Sequence, residues 1–418
     1  MSSRLVIRQV RHLSTTVGAA ANATTAAAVS STGTSENPST ISISKAKSLL
    51  KNVFDPDRAI EIYSSVAPPK NASAAFSRYT QQYTVRRLAK VHRFSDIETF
   101  LESHKKDSKI TQEHFLSSII RSYGIAGMFD HALKTYNQMD DLGTPRSNVS
   151  FNALLSACNS SKKFSQVPEL FDDLPKRYEF LPNTYSYGNL IKAYCEMGSP
   201  DLAMERLKEM EENDIEITAV ICSPIVNAFY KKGMVEEAEN LWNEMVKRGC
   251  LDVGAYNMKI HQIYGGNPET VKGLIEEVKR AGLKPDTITY NYLMTSYCVN
   301  GMMDEALKVY EDLEVNCCKP NAATYRTLVF HLCKKQMFER AHKIYKQSMM
   351  VNKIPDFNTL KHLVEGLVKM SREQQARGVI KTVKKKFPPN VVKAWEKLQI
   401  ELGLDSVDVN CKVDLEET

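Results

Sequence analysis

Residues 287–321 read TITYNYLMTSYCVNGMMDEALKVYEDLEVNCCKPN. In the first half Tyr290, Leu293, Met294, Tyr297 and Cys298 fall at i, i+3, i+4, i+7 and i+8, one apolar stripe of an α-helix. Asn300-Gly301 stops that helix in the manner of a C-cap. Asp304 and Glu305 suit the positive N-terminus of a second helix, whose stripe is Ala306, Val309, Tyr310 and Leu313. Lys319-Pro320 breaks it. Two helices of three or four turns cannot bury their apolar faces alone, so a unit of this kind must stack on neighbours.

Neighbours are present in the sequence. An Ala preceded by acidic or polar residues recurs at Ala132, Ala203, Ala238, Ala306, Ala341 and Ala376, and Val167 and Val271 fill the same place where the spacing doubles. Upstream of each lies an aromatic-centred segment, such as VSFNALLSAC, YSYGNLIKAYC, GAYNMKIHQIY and ATYRTLVFHLC. Gly/Pro/Asp turns close most units, as in RGCLD before Val253, GLKPD before Thr287 and NKIPD before Phe357. A fixed period near 35 residues decides the architecture before any local detail. The pattern predicts an all-α fold, a right-handed α-solenoid of about ten stacked helix-turn-helix repeats, with units at 40–77, 78–112, 113–147, 148–183, 184–218, 219–252, 253–286, 287–321, 322–356 and 357–390. The first two are weak by motif. The expected domain plan is degenerate helical repeats over 40–112, the regular array over 113–390, a capping helix over 391–403 and an acidic tail over 404–418.

The first forty residues differ in kind. From Met1 to Pro38 the only acid is Glu36, and Arg4, Arg8 and Arg11 precede long Ser, Thr and Ala runs. Arg-rich, Ser-rich and acid-poor is the composition of an organellar presequence. A helix over 3–12 gathers the three arginines on one side. Arg11-His12-Leu13-Ser14-Thr15 resembles a processing site cut near 13/14, and the early clustered arginines favour the mitochondrial matrix over the plastid. Residues 1–39 therefore read as a mitochondrial presequence and linker.

Over 418 residues, 55 Lys and Arg stand against 49 Asp and Glu, a formal net charge of +6, with a sequence pI near 8.6. Apolar residues at 43% and charged residues at 25% are ordinary globular usage and exclude wholesale disorder. Mean hydropathy is −0.34 and there is no run of 18 apolar residues, which argues against a membrane span. Nine cysteines without a CxxC pair exclude a zinc ribbon and a disulfide framework. Cys195, Cys298 and Cys333 recur at one place inside the first helix of their units, where Cys acts as a small core hydrophobe. Ligands do not converge at metal-binding spacing, His261 and His331 stand without patterned partners, and no HxE or acid-rich catalytic extension appears. No enzyme activity, cofactor, metal or small-molecule substrate is expected.

The units resemble pentatricopeptide repeats, whose 35-residue pattern runs roughly VTYNTLIDGLCKAG, LDEALELFEEM and a KGIKPD turn. Residues 148–183, 184–218, 287–321 and 322–356 match it closely, and the resemblance covers about 110 to 390. The tetratricopeptide opening Trp-x-x-Leu-Gly is absent. The family implies single-stranded RNA binding, one base per repeat, read by the fifth and last residues of each unit. Here those pairs are Asn152 with Asn183, Ser223 with Asp252, Asn257 with Asp286, and Asn291 with Asn321. Short amides and carboxylates can satisfy base edges, although Asn and Asp also cap helices anywhere. Gly188 with Thr218, Arg326 with Asp356, Lys361 with Asn390 and Ser117 with Ser147 fit no such pair, so the readable units are interrupted. Replacing both Asn257 and Asn291 by Ala is expected to weaken RNA binding while leaving thermal stability unchanged.

Cations form the second signal. Lys231, Lys334 and Lys369 end the first helices of their units and could track phosphates. Arg377, Lys381, Lys384, Lys385 and Lys386 form a basic cluster in the last unit. Two function classes follow: a component of the mitochondrial ribosome, small subunit, gripping rRNA and ribosomal proteins by shape and charge, or a sequence-directed binder of an organellar mRNA acting in its stability, processing or translation. Extension-free plant mitochondrial members with degenerate pairs resemble the ribosome-associated type, which favours the first; pure protein scaffolding is a third possibility.

Overall fold

The computed structural model describes residues 41–53, 55–66, 74–386 and 389–404; the presequence and acidic tail expected from the sequence lie outside them. The described chain is built from paired helices. They run α1 Ile43–Asn52 with α2 Pro56–Ser64, α3 Ala74–Lys90 with α4 Phe94–His104, and α5 Glu113–Ile125 with α6 Phe129–Asn137. Next come α7 Asn148–Ser160 with α8 Gln166–Arg177, α9 Thr184–Glu196 with α10 Pro200–Glu212, and α11 Ala219–Lys231 with α12 Val235–Arg248. The series ends with α13 Val253–Ile263 and α14 Pro268–Arg280, α15 Thr287–Val299 and α16 Met303–Glu311, α17 Ala322–Lys334 and α18 Phe338–Met350, α19 Phe357–Lys369 and α20 Glu373–Lys386, then α21 Pro389–Glu401. This is an α-solenoid.

Packing is nearest-neighbour. From α3 to α19 each odd-numbered helix packs on the next odd-numbered one, and the even-numbered helices between them pack against both flanking odd helices, α12 reaching α13 through Trp242 on Tyr256. A two-layer stack whose one layer is in continuous contact while the other is splayed curves toward the contacting layer. The odd-numbered helices therefore line the inner face. The recurring Ala132, Ala203, Ala238, Ala306, Ala341 and Ala376, with Val167 and Val271, are fully buried, so small side chains set the distance between layers. Gly124 goes further: a Cβ there would lie 2.3 Å from the Ala157 Cα, so α5 and α7 meet backbone to backbone.

Left-handed turns between helices maintain the period through most of the array. After the odd-numbered helices, Gly127, Gly198, Gly233 and Gly301 have φ of +73° to +78°, and His92, Lys162, Gln336 and Ser371 occupy the same place at +57° to +60°. The following amide reaches back across the turn, as Met302 N–H does to the Tyr297 carbonyl at 2.9 Å. This bond satisfies a terminal carbonyl and offsets the roughly 1–2 kcal/mol that a non-glycine residue pays in that conformation. The core is correspondingly drawn out along the stack: one large apolar cluster spans Val85 to Val278, a second spans Ile260 to Leu404, and small ones sit at Ala46, Leu50, Ala59 and Ile62 and at Tyr290, Leu313 and Cys318.

Candidate nucleic-acid interface

Three junctions between successive inner helices share one geometry. Asn152 donates through Nδ2 to Asn183 Oδ1 at 3.1 Å, Asn257 to Asp286 Oδ1 at 3.0 Å, and Asn291 to Asn321 Oδ1 at 3.2 Å. Each amide oxygen in turn accepts a 2.7 Å bond from a buried hydroxyl one unit on: Ser186, Thr289 and Thr324 respectively. Those hydroxyls close capping boxes with Asn183, Asp286 and Asn321, the N-caps of α9, α15 and α17. The fifth-position amide is therefore wired into the start of the next inner helix. Capping and base reading are not alternatives here. The cap uses Oδ1 of the last residue, which leaves the Asp286 Oδ2 or the Asn183 and Asn321 Nδ2 as the group available to a base edge.

This wiring changes the expectation for Asn257 and Asn291. Both are under 10% exposed and make two internal bonds each, so their replacement by Ala must cost stability as well as any base contact.

At the other units the row breaks for visible reasons. Ser223 Oγ is buried without a hydrogen-bond partner, and Asp252 caps α13 through the Ala255 N–H instead. A Cβ at Gly188 would sit 3.0 Å from Ile221 Cδ1, so glycine answers a packing need there. Arg326 lies 3.9 Å from Asp356, turning that pair into an ion pair, and Lys361 faces Glu365 at 3.7 Å. At Ser147 the cap is held by Glu113, which accepts from both the Ser147 N–H and its hydroxyl at 2.7 Å.

Reasoning from the sequence missed an apolar row. Tyr185, Val220 and Ile288, second in their units, are 76%, 71% and 48% exposed on the inner helices α9, α11 and α15. Tyr185 and Val220 flank a cleft of about 870 Å³ with Lys192, Ser223, Asp252 and Met258. The available signal was an apolar residue one place outside the buried stripe of these three units.

Lys231, Lys334 and Lys369 are exposed at the C-terminal ends of α11, α17 and α19, and Lys334 Nζ lies 5.0 Å from the Phe330 ring centroid. In the last unit the cluster is partly engaged internally. Arg377 donates to the Leu404 carbonyl at 2.8 Å, Lys384 to Gln399 at 2.7 Å and Lys386 to Asn352 at 3.1 Å, while Lys381 and Lys385 are exposed. The wider charge pattern is steeper than this cluster suggested. Residues 322–390 carry 15 Lys and Arg against 4 Asp and Glu, whereas residues 184–321 carry 14 against 22. The unit 322–356 escaped notice because Arg340, Lys343, Lys346 and Lys353 are spread along it and not run together. The curvature also brings the basic second unit near this end: Lys90 lines a cleft of about 470 Å³ with Arg326, Asn352, Lys353 and Asp356.

Burial pushes the thiols of Cys195, Cys298 and Cys333 up to about 12, keeping them protonated and inert as core groups. Among the described residues no group of His, Cys, Asp and Glu is placed to hold a metal ion, and no helix is long and apolar enough to cross a membrane.

Comparison with known proteins adds relatives. The PPR repeat pattern matches at residues 115–144, 149–178, 185–215 and 220–250, and the PPR repeat family at 285–334. The chain is 55% identical over 407 residues to the small ribosomal subunit protein mL103 (rPPR7) of Arabidopsis thaliana, covering 97% of this chain and 96% of that one. It is 52% identical to a mitochondrial pentatricopeptide repeat-containing protein of the same plant, covering 97% and 94%. The crystal structure of the pentatricopeptide repeat protein PPR10 from maize aligns at 18% identity and a TM-score of 0.40, over 85% of this chain and 59% of that one.

Proposed function

This chain belongs to the pentatricopeptide repeat family, and from that premise we propose that it is an RNA-binding component of the mitochondrial small ribosomal subunit, contacting folded rRNA by charge and shape. The observation that carries the assignment is the end-to-end likeness to a small ribosomal subunit protein, at 55% identity over 97% of the chain. Mitochondrial location follows from the same set of relatives and agrees with the arginine-rich, acid-poor start.

The geometry suits such a role. A long sequence reader needs an unbroken row of base-reading pairs, and here three intact amide junctions are interrupted by glycine, an ion pair and a lysine–glutamate contact. A scaffold tolerates those breaks. Affinity then comes from phosphates, with Lys231, Lys334, Lys369, Lys381 and Lys385 exposed for them, while Arg377 and Lys384 tie the last unit to the closing helix and Lys386 ties it to the unit before. Most acids of 184–321 lie on the even-numbered helices α10, α12, α14 and α16, away from the inner face, where they offer basic ribosomal proteins a surface. The protein acts by binding, without a catalytic step.

A second reading, sequence-directed binding of a mitochondrial transcript, is favoured locally by the adjacent pairs Asn257–Asp286 and Asn291–Asn321, which by family rules prefer pyrimidines. Ultraviolet crosslinking in intact mitochondria separates the two. The ribosomal assignment expects crosslinks concentrated in small-subunit rRNA; crosslinks confined to one mRNA segment would overturn it.

A further inference from the structure

Two ring clusters lie on the inner face, apart from the core aromatics. On α13 and its C-cap, Asn257, His261 and Tyr264 fall at i, i+4 and i+7, so both rings share the face of the amide. Tyr292, which follows Asn291 on α15, completes a triangle: centroids are 5.4 Å apart for His261–Tyr264, 5.6 Å for His261–Tyr292 and 5.5 Å for Tyr264–Tyr292. His261 is exposed and the two tyrosines are half-buried. Two units further the arrangement recurs. Arg326, Phe330 and Lys334 fall at i, i+4 and i+8 on α17, and Phe330 meets His362 of α19 at 5.7 Å. His331 stands edge-on to Phe330 at 5.3 Å, and Lys334 Nζ lies 5.0 Å from its centroid.

Core aromatics of the same helices behave differently: Tyr256, Tyr290, Tyr297 and Tyr325 are each under 9% exposed and pack between the layers. The clusters leave rings at the surface, beside hydrogen-bonding amides in one case and beside a cation in the other. We propose that His261–Tyr264–Tyr292 and Phe330–His362 are stacking sites for unpaired nucleobases, with Lys334 placed for the phosphate of the base on the second. Every base has a π-face, so such a platform accepts any sequence, which is what an interrupted reader needs. It also selects single-stranded loops and bulges over duplex, where the bases are already stacked. The inference rests on the RNA-binding reading above and adds to it a chemistry that neither the amide pairs nor the lysines supply.

The test measures binding of the full chain to a mixed-sequence single-stranded RNA and to the same RNA annealed to its complement. For His261→Ala with Tyr292→Ala, and separately for Phe330→Ala with His362→Ala, single-strand affinity falls about ten-fold while duplex affinity changes less than two-fold. His261→Tyr with Tyr292→Phe keeps wild-type affinity. His261→Ala alone, at an exposed site, provides the folded control, and circular dichroism confirms that it melts as the wild type does. Unchanged single-strand affinity, or equal losses on both RNAs, overturns the stacking assignment while leaving phosphate binding intact. Failure of the wild type to bind either RNA would instead remove the RNA-binding reading itself.

Discussion

Replacing Asn257 by Ala removes two hydrogen bonds at once. One runs from Nδ2 to the Asp286 carboxylate at 3.0 Å, and the other from Thr289 Oγ1 to Oδ1 at 2.7 Å. A bond to a charged group contributes about 1.5–3 kcal/mol and a neutral one about 1 kcal/mol. Neither partner is orphaned, because Thr289 Oγ1 is still 3.0 Å from Asp286 Oδ1, which keeps the Ile288 and Thr289 amides. With the Thr289 hydroxyl re-bonded to Asp286, the expected cost is that of the charged bond, about 1.5–3 kcal/mol. Asn291→Ala, whose partner Asn321 is neutral, should cost about 1–2 kcal/mol. Asn257→Asp should be worse than Ala, since it sets two carboxylates in hydrogen-bond range; adding Asp286→Asn should restore a donor and recover about 1 kcal/mol or more as coupling energy. Urea unfolding followed at 222 nm measures the totals. Hydrogen exchange at Ile288 and Thr289 places the loss at this junction, which matters because solenoids can open locally. A cost below about 0.5 kcal/mol, with no coupling to position 286, would refute the wiring of the fifth residue into the next cap.

Other outcomes follow from the same geometry. Gly124→Ala forces a Cβ to within 2.3 Å of the Ala157 Cα and should lower stability by about 3 kcal/mol or more, whereas Gly127→Ala, with open space around it and φ +77°, should cost only about 1–2 kcal/mol; thermal melts of the pair check this. Lys381→Glu with Lys385→Glu should weaken RNA binding and flatten its salt dependence by roughly 0.7 log units per log unit of salt for each phosphate no longer neutralised, while Lys208→Glu on the outer helix α10 changes little; filter binding across a salt series reads both. Burial raises the Cys298 and Cys333 thiols to about 12, so the native state holds their protons above the pH at which the unfolded thiols lose them. That contribution is complete below the ordinary thiol range and fades as pH climbs toward 12; iodoacetamide at mildly alkaline pH should label exposed Cys317 and spare both until urea is added.

The architecture was legible in the sequence because a repeat writes its packing many times over. The Ala row at 35-residue spacing marks the buried contact between layers, and the Gly and Pro turns mark the ends, so element type and order follow from residues such as Ala306 and Gly301. The candidate site was legible only in part. Asn152, Asn257 and Asn291 could be picked out by phase, but their two internal bonds depend on where Ser186, Thr289 and Thr324 fall in the next unit, which a linear pattern does not display. The exposure of Tyr185, the ring triangle around His261 and the approach of Lys90 to Lys353 are products of curvature, summed over many small rotations between units. Charge was readable but misjudged. A run such as Lys384 to Lys386 catches the eye, while the unit before it carries nearly as many bases dispersed over two helices.

Membership of the small ribosomal subunit can be read from sedimentation of a mitochondrial lysate. Gradients are run with intact ribosomes and again after magnesium removal separates the subunits, with the chain followed by antibody. A subunit component moves with the small subunit in both gradients and stays there through a salt wash that strips transient factors, and that is the expected result. Recovery at the top of the gradient, or with the large subunit after dissociation, would contradict it.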